Sequence, residues 1–398
     1  MTWRTISDLA PKGKRVLVRV DLNVPIKDGK VTEETRIARS AETLNELMSK
    51  GARVIVCSHF GRPKGGPDAA NSLRQVVPAL EKRLDHKVAF ASDCVGPAAE
   101  EAVAALKDGD VLLLENTRFH PEEEANDPTF AAALAKLADV YVNDAFSAAH
   151  RAHASTEGVA HLLPSFAGRA MEAELKALES VLGHPKRPVM AIVGGAKISS
   201  KIAVLEHLID KVQTLAIGGA MANTFLAAQG VRVGKSLEEP DQHKIALEIL
   251  SRAKASGCRI LLPTDAILAK EFKANAPSRN APLNNIGGEE MILDVGAATV
   301  ALINSALAES ATLVWNGPLG AFELAPFGAG TFAVAREVVR LTWGGRLVSV
   351  AGGGDTLAAL DAAGSTAGFT YVSTAGGAFL EWLEGKALPG VEALKAKS

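Results

Sequence analysis

Cysteine is scarce. The chain of 398 residues has three, Cys57, Cys94 and Cys258, with no C-x-x-C pair. An odd number of distant cysteines excludes a disulfide framework and gives no cysteine-based zinc spacing, so a reducing, cytoplasmic setting is expected. Aromatic residues make up only 5%, which argues against a base-stacking platform. There is no surplus of either charge: Lys plus Arg is 43 against 45 Asp plus Glu, a formal net charge of −2. A dedicated nucleic-acid binder needs a basic excess, so no nucleic-acid partner is expected, although a local basic site remains open. No apolar run approaches the roughly 18 residues of a membrane-spanning helix, and Met1–Lys14 lacks the apolar core and cleavage site of a signal peptide. What is present is ordinary for a globular protein, 47% hydrophobic and 22% charged residues, and the length suits two or three domains.

Short runs of Val, Ile and Leu alternate with Ala-rich stretches of helical period. The runs are Arg15–Val20, Arg53–Ser58, Val111–Glu115, Val140–Asn143, Val189–Val193, Leu215–Ile217, Arg259–Leu262, Thr312–Trp315, Arg346–Val350 and Thr370–Ser373. They are apolar throughout, as parallel strands covered on both faces must be. Helices are predicted between them, among them Thr35–Lys50, Ser72–Leu84, Thr129–Leu137, Glu172–Leu182, Ser199–Asp210, Asp241–Ala255 and Thr331–Thr342. The pattern predicts an α/β protein of two doubly wound, Rossmann-like parallel-sheet domains with a cleft between them. Gly183–Pro188, a breaker cluster after the helix Glu172–Leu182, marks the seam. The expected division is an N-terminal domain over 1–170, a hinge helix over 171–184, a second domain over 185–375 and a C-terminal segment over 376–398.

In open α/β sheets, ligands bind beyond the carboxyl ends of the strands. In the first half those ends read Asp21-Leu22-Asn23, Ser58-His59-Phe60-Gly61-Arg62-Pro63, Asn116-Thr117-Arg118-Phe119 and Asn143-Asp144-Ala145-Phe146, followed by His150-Arg151-Ala152-His153. Arg36 opens the helix after the first strand. Arginines recurring at one edge of a sheet predict a pocket for carboxylate or phosphate. His150 and His153 have no third ligand at a matching spacing, so no metal is expected in this half.

The second half reads differently. Gly194-Gly195-Ala196-Lys197-Ile198-Ser199-Ser200-Lys201 follows a strand and is predicted to open a helix, with Lys197 and Lys201 on one face, where an anion would neutralise them. Further strands end in Gly218-Gly219, in Asn316-Gly317-Pro318 and in Gly352-Gly353-Gly354-Asp355-Thr356. Bare amides there suit phosphate oxygens, and the Asp355 carboxylate suits them only with Mg²⁺ between. Two look-alikes fail on context. Gly230–Ser236 has one residue too few for a P-loop, and Gly328–Ala333 lacks the strand a dinucleotide fingerprint requires. An anion pocket in one half and a phosphate site in the other suggest phosphoryl transfer between a nucleotide and a small acid. A receptor for a phosphorylated metabolite would leave the lysine pair unexplained, and a dehydrogenase would need the missing fingerprint.

At these residues the chain resembles the phosphoglycerate kinase family. The matching stretches are Arg19–Asn23, Ser58–Pro63, Glu115–Phe119, Asn143–Ser155, Gly194–Lys201, Trp315–Glu323, Gly352–Thr356 and Glu381–Lys386. The resemblance implies reversible transfer of the acyl phosphate of 1,3-bisphosphoglycerate to MgADP, giving 3-phosphoglycerate and ATP. It implies that Asp21, Asn23, Arg36, His59, Arg62, Arg118 and Arg151, with Leu22, Phe60 and Gly61 of the same loops, hold the acid. Lys197, Lys201, Gly218, Gly219, Asn316, Glu323, Gly353, Gly354, Asp355 and Thr356 would hold ATP or ADP, with Asp355 beside Mg²⁺ and Glu323 on the ribose. Arg36, Lys197 and Lys201 would be catalytic. The resemblance also implies a monomer whose C-terminal segment returns to the first domain. Ala220, Ile292, Ala297 and Ala375 depart from residues usual in the family.

Overall fold

The structure, a computed structural model, describes residues 3–395. The chain divides into two compact units: residues up to Leu175 together with those from Ala387 onward, and Lys176–Lys386. The helix Arg169–Leu178, shorter and earlier than predicted, runs across that division and ends in a π-type turn, Glu179–Gly183. The segment from residue 376 belongs to the second unit as far as Lys386, and only Ala387 onward joins the first. There the Gly390 amide donates to the Ala149 carbonyl at 2.8 Å.

In the first unit the strands are β1 (Arg15–Arg19), the hairpin β2 (Ile26–Lys27) and β3 (Lys30–Val31), β4 (Arg53–Cys57), β5 (Val88–Phe90), β6 (Val111–Leu113), β7 (Val140–Asn143) and β8 (Ser165–Ala167). Six of them form a parallel sheet in the order β5-β6-β4-β1-β7-β8. The side chains explain the apolar runs. Val16 and Val18, Val54 and Val56, and Val140 and Val142 enter one core, while Leu17, Ile55 and Tyr141 enter another. A period of two against a core on each face leaves β1, β4, β6, β7 and β8 buried almost throughout. The strand order runs one way from β1 and the other way from β7, so the crevice lies beyond the ends of those two strands, at Arg19 and Asn143.

In the second unit the strands are β9 (Val189–Val193), β10 (Thr214–Ile217), β11 (Arg259–Leu261), β12 (Asp265–Ala269), β13 (Ser278–Pro282), β14 (Met291–Val295), β15 (Thr312–Asn316), β16 (Val348–Gly352) and β17 (Tyr371–Ser373). The parallel sheet is ordered β11-β10-β9-β15-β16-β17, which is the dinucleotide-binding order counted within its own six strands. Its switch point lies between β9 and β15, whose paired ends are Val193 and Asn316. β12, β13 and β14 form a separate antiparallel sheet that the sequence pattern did not announce. β13 exposes four of its five residues, so it carries no apolar run to read. Among the described residues no helix is long and apolar enough to cross a membrane.

Candidate active site

Beyond the crevice of the first unit, Arg62, Arg118 and Arg151, with Pro63 and Glu124, line a cavity of about 260 Å³. The loops that carry them are tied together. Arg118 Nη1 donates to the Gly61 carbonyl at 3.0 Å, and the Gly61 amide donates to Asn23 Oδ1 at 2.9 Å. Arg118 Nε lies 3.0 Å from Glu124 Oε1, but its N–H points elsewhere, so this contact is an ion pair without a hydrogen bond. Arg36 Nη1 donates to the Asn23 carbonyl at 2.8 Å and pairs with Asp21 at 3.1 Å; Asp21 also accepts from Ser147 Oγ at 2.5 Å. Leu22 and Phe60 do not line the cavity. Their side chains are core, the Leu22 amide is held by Ser58 Oγ, and Phe60 is clamped through both its amide and its carbonyl by Asn116.

His59 is buried with Arg19 beside it. Arg19 Nη2 is 2.9 Å from His59 Nδ1, and a guanidinium can only donate, so Nδ1 is the acceptor and the proton sits on Nε2. Burial first, then the charges of Arg19, Arg118 and Arg151, hold its pKa well below the usual histidine value. His59 is therefore a neutral N–H donor among fixed cations. Arg19, itself fully buried, also donates to Ser155 Oγ at 2.9 Å and to the Val20 carbonyl; Ser155 Oγ in turn donates to buried Glu123 at 2.5 Å. Sequence reasoning assigned Arg19 no role, although a charged residue closing an apolar strand was a visible signal.

In the second unit a cavity of about 400 Å³ is lined by Gly194–Lys197, Ser200, Lys201, Asn316, Gly317, Gly353–Thr356, Gly376, Gly377 and Leu380. It gathers Lys197, Lys201, Asn316, Gly353, Gly354, Asp355 and Thr356 of the expected set. The glycines are needed for closeness: a Cβ on Gly194 would strike the Pro318 carbonyl, and Gly353, at φ +100°, would place one 2.6 Å from Asn316 Nδ2. The lysines do not share a helix face as predicted. A 3₁₀ turn, Ile198–Ser200, intervenes, Lys197 is extended, Lys201 sits at φ −129°, and the α-helix begins only at Ile202. The loop brings both to the cavity instead. Its turn is held by Glu239, which accepts from the Ser199 amide at 3.0 Å and from its hydroxyl at 2.5 Å.

Lys201 Nζ donates to Asn316 Oδ1. Burial lowers its pKa, while the Asp355 and Glu384 carboxylates act in the opposite direction. Gly218 and Gly219 do not line the cavity; a Cβ on Gly219 would lie 2.5 Å from the Gly195 carbonyl oxygen, so they let that loop pack closely. Glu323 is exposed and is also outside the cavity lining. Gly376, Gly377 and Leu380, which do line it, were not among the nucleotide-site residues expected from the sequence.

The phosphoglycerate kinase family model matches residues 6–386. Phosphoglycerate kinase of Rhodospirillum centenum is 63% identical over 396 residues, covering all of both chains. Among solved structures, phosphoglycerate kinase from Coxiella burnetii aligns with a TM-score of 0.93 at 41% identity and covers 99% of each chain. The enzyme from Pyrococcus horikoshii aligns at 0.81 with 31% identity and covers 98% of each. With matches of this extent in sequence and in structure, the chain belongs to the phosphoglycerate kinase family.

Proposed function

We propose that the two cavities divide the family's reaction between them: the first unit holds 3-phosphoglycerate or 1,3-bisphosphoglycerate, and the second holds ATP or ADP. The chain is a phosphotransferase of glycolysis; the division of labour is our reading. The observation that carries it is the pair of separate cationic cavities, each lined by loops that follow the carboxyl ends of the strands of its own sheet. The arginine cavity matches the phosphate and carboxylate of a small acid, and neutral His59 adds an N–H donor without adding charge. The glycine and lysine cavity matches a polyphosphate. Asp355 is an exposed carboxylate in the first turn of the helix Gly354–Ala362, and one such ligand fits Mg²⁺, which usually keeps waters and takes its other ligands from phosphates. When bound, Mg²⁺ would neutralise phosphate charge.

Both nucleophiles, a carboxylate and an ADP phosphate oxygen, are ionised at neutral pH, so no general base is needed. In-line transfer then depends on positioning and on charge neutralisation by Arg36, Lys197 and Lys201. Water must be kept from the acyl phosphate, so turnover includes closure of 1–170 on 185–375 about a hinge at 171–184. Three free, buried cysteines support a reducing, cytoplasmic setting, and the working form is read as a monomer.

A coupled assay of MgATP with 3-phosphoglycerate tests the reaction: ADP should appear only with both present. Arg62→Ala, Arg118→Ala or Arg151→Ala should raise KM for 3-phosphoglycerate and leave KM for ATP nearly unchanged. A shift in the nucleotide constant instead would reverse the division. Arg36→Ala should keep binding of each ligand and lose most turnover. Small-angle scattering of the wild type should show compaction with both ligands and less with either alone; identical profiles would contradict closure.

A further inference from the structure

Outside the lining of either cavity, the bend Asp93–Cys94 precedes the helix Gly96–Ala104 and meets His120, the N-cap residue of the short helix Pro121–Glu124. A carboxylate oxygen, a thiol sulfur and a ring nitrogen from these three residues all lie within 4.8 Å of one another. His120 Nε2 is 2.7 Å from Asp93 Oδ1, and the same oxygen accepts from the Cys94 amide at 2.6 Å. The His120 ring rests against Phe130, with centroids 5.1 Å apart, which restrains its plane. Cys94 is fully buried, whereas the side chains of Asp93 and His120 are 44% and 31% exposed. The sulfur is therefore covered and the other two donors meet solvent. After burial, the carboxylates of Asp93 and Glu123 are the main groups raising the Cys94 pKa, and a field hostile to a bare thiolate is favourable to a cation beside it.

We propose that Asp93, Cys94 and His120 form a binding site for a borderline-soft divalent cation of the Zn²⁺ type, with water as the fourth ligand. Thiolate and imidazole donors select this class and disfavour Mg²⁺, so the site is distinct from the cation that accompanies the nucleotide. Tetrahedral zinc bonds place neighbouring ligand atoms roughly 3.3–3.7 Å apart. The present 2.7 Å contact between His120 and Asp93 must then open by roughly 0.6 Å, a side-chain rotation. On binding, the cation takes the Cys94 sulfur and releases the thiol proton to solvent; the Nε2 proton that faced the carboxylate is given up to solvent while Nδ1 takes one up, and the Nε2 lone pair and a carboxylate oxygen then bind the cation in place of their mutual contact. The Asp93 carboxylate keeps the Cys94 amide as its orienting donor. The sequence hides the site because Asp93 and His120 are 27 positions apart.

Occupancy would also pin the segment from Thr117 to Glu124, which carries Arg118 and Glu124 of the arginine cavity. This consequence rests on the reading of that cavity as the acid site; the metal site itself does not.

The test is titration of the full-length protein with Co²⁺ and then Zn²⁺. Co²⁺ should produce a thiolate-to-metal charge-transfer band and tetrahedral ligand-field bands, both erased by Zn²⁺. Cys94→Ser should remove the charge-transfer band. His120→Gln and Asp93→Asn, at partly exposed positions that leave the core intact, should each weaken Zn²⁺ binding by about 100-fold. Absence of the band in the wild type, its loss in Cys57→Ser or Cys258→Ser instead, or unchanged Zn²⁺ affinity in both His120→Gln and Asp93→Asn would overturn the site. Zn²⁺ should raise KM for 3-phosphoglycerate in the wild type and not in His120→Gln. Tight Zn²⁺ binding with an unchanged KM would overturn the link to the acid cavity and leave the metal site standing.

Discussion

Lys201→Ala is expected to lower turnover by about 10²-fold or more, with a smaller effect on nucleotide affinity. Lys201 sits where the 3₁₀ turn gives way to the helix Ile202–Ile209, and its side chain reaches the cavity that also holds Gly353, Gly354 and Asp355. Its ammonium is held by Asn316 Oδ1, so it is aimed before any ligand arrives. Partial burial strips water from it and depresses its pKa, while the Asp355 and Glu384 carboxylates favour its charged form. A charge that is poorly hydrated and already oriented interacts strongly with negative charge developing on a phosphoryl group, since little reorganisation is needed. Lys197, which is exposed and extended, lacks that preorganisation, so Lys197→Ala should act more on nucleotide binding. Steady-state kinetics paired with calorimetric ADP binding separates the two roles. Near-normal turnover in Lys201→Ala, with only binding weakened, would remove Lys201 from the transfer step.

Arg19→Met should destabilise the first unit by about 3–5 kcal/mol, the scale of leaving a buried charge uncompensated. Arg19 and Glu123 are each 1% exposed, and Ser155 joins them by donating to the carboxylate while accepting from the guanidinium. Met fills most of the volume, so the loss is one of charge compensation and hydrogen bonds. Glu123 would remain buried, with the Ser155 amide and hydroxyl as donors but no cation behind them. The melting temperature should fall on the order of 10 °C. Arg19→Met with Glu123→Gln should recover part of the loss, because the second change removes the stranded charge. The same single variant deprives His59 Nδ1 of its donor, so the ring can exchange tautomers and KM for 3-phosphoglycerate should rise. Nitrogen chemical shifts of the His59 ring report the tautomer directly. An unchanged melting temperature together with an unchanged ring spectrum would contradict both parts.

Much of the architecture was legible from sequence because hydrophobic periodicity is a local property. β1, β4, β7, β9 and β15 are buried on both faces, and each appears as an unbroken apolar run. The chemistry at strand ends was legible for a related reason: side chains just past a parallel strand face the crevice whatever the strand order, so Arg62, Arg118, Asn316 and Asp355 could be named in advance. Strands without a run of Val, Ile and Leu gave no such signal: β5 is Val88-Ala89-Phe90, β8 is Ser165-Phe166-Ala167, and β13 is largely exposed. Convergence of distant residues was decided by the tertiary structure alone. The spacing of Lys197 and Lys201 suggested a helix face, but a 3₁₀ turn and a close glycine contact bring them to the cavity by another route. Arg19 meets Ser155 across 136 positions, and Asp93 meets His120 across 27. Pattern along the chain determined which segments are buried, because burial follows from each segment's own period. Which side chains share a site depended on strand order and loop geometry, because those set distances between residues that the sequence keeps far apart.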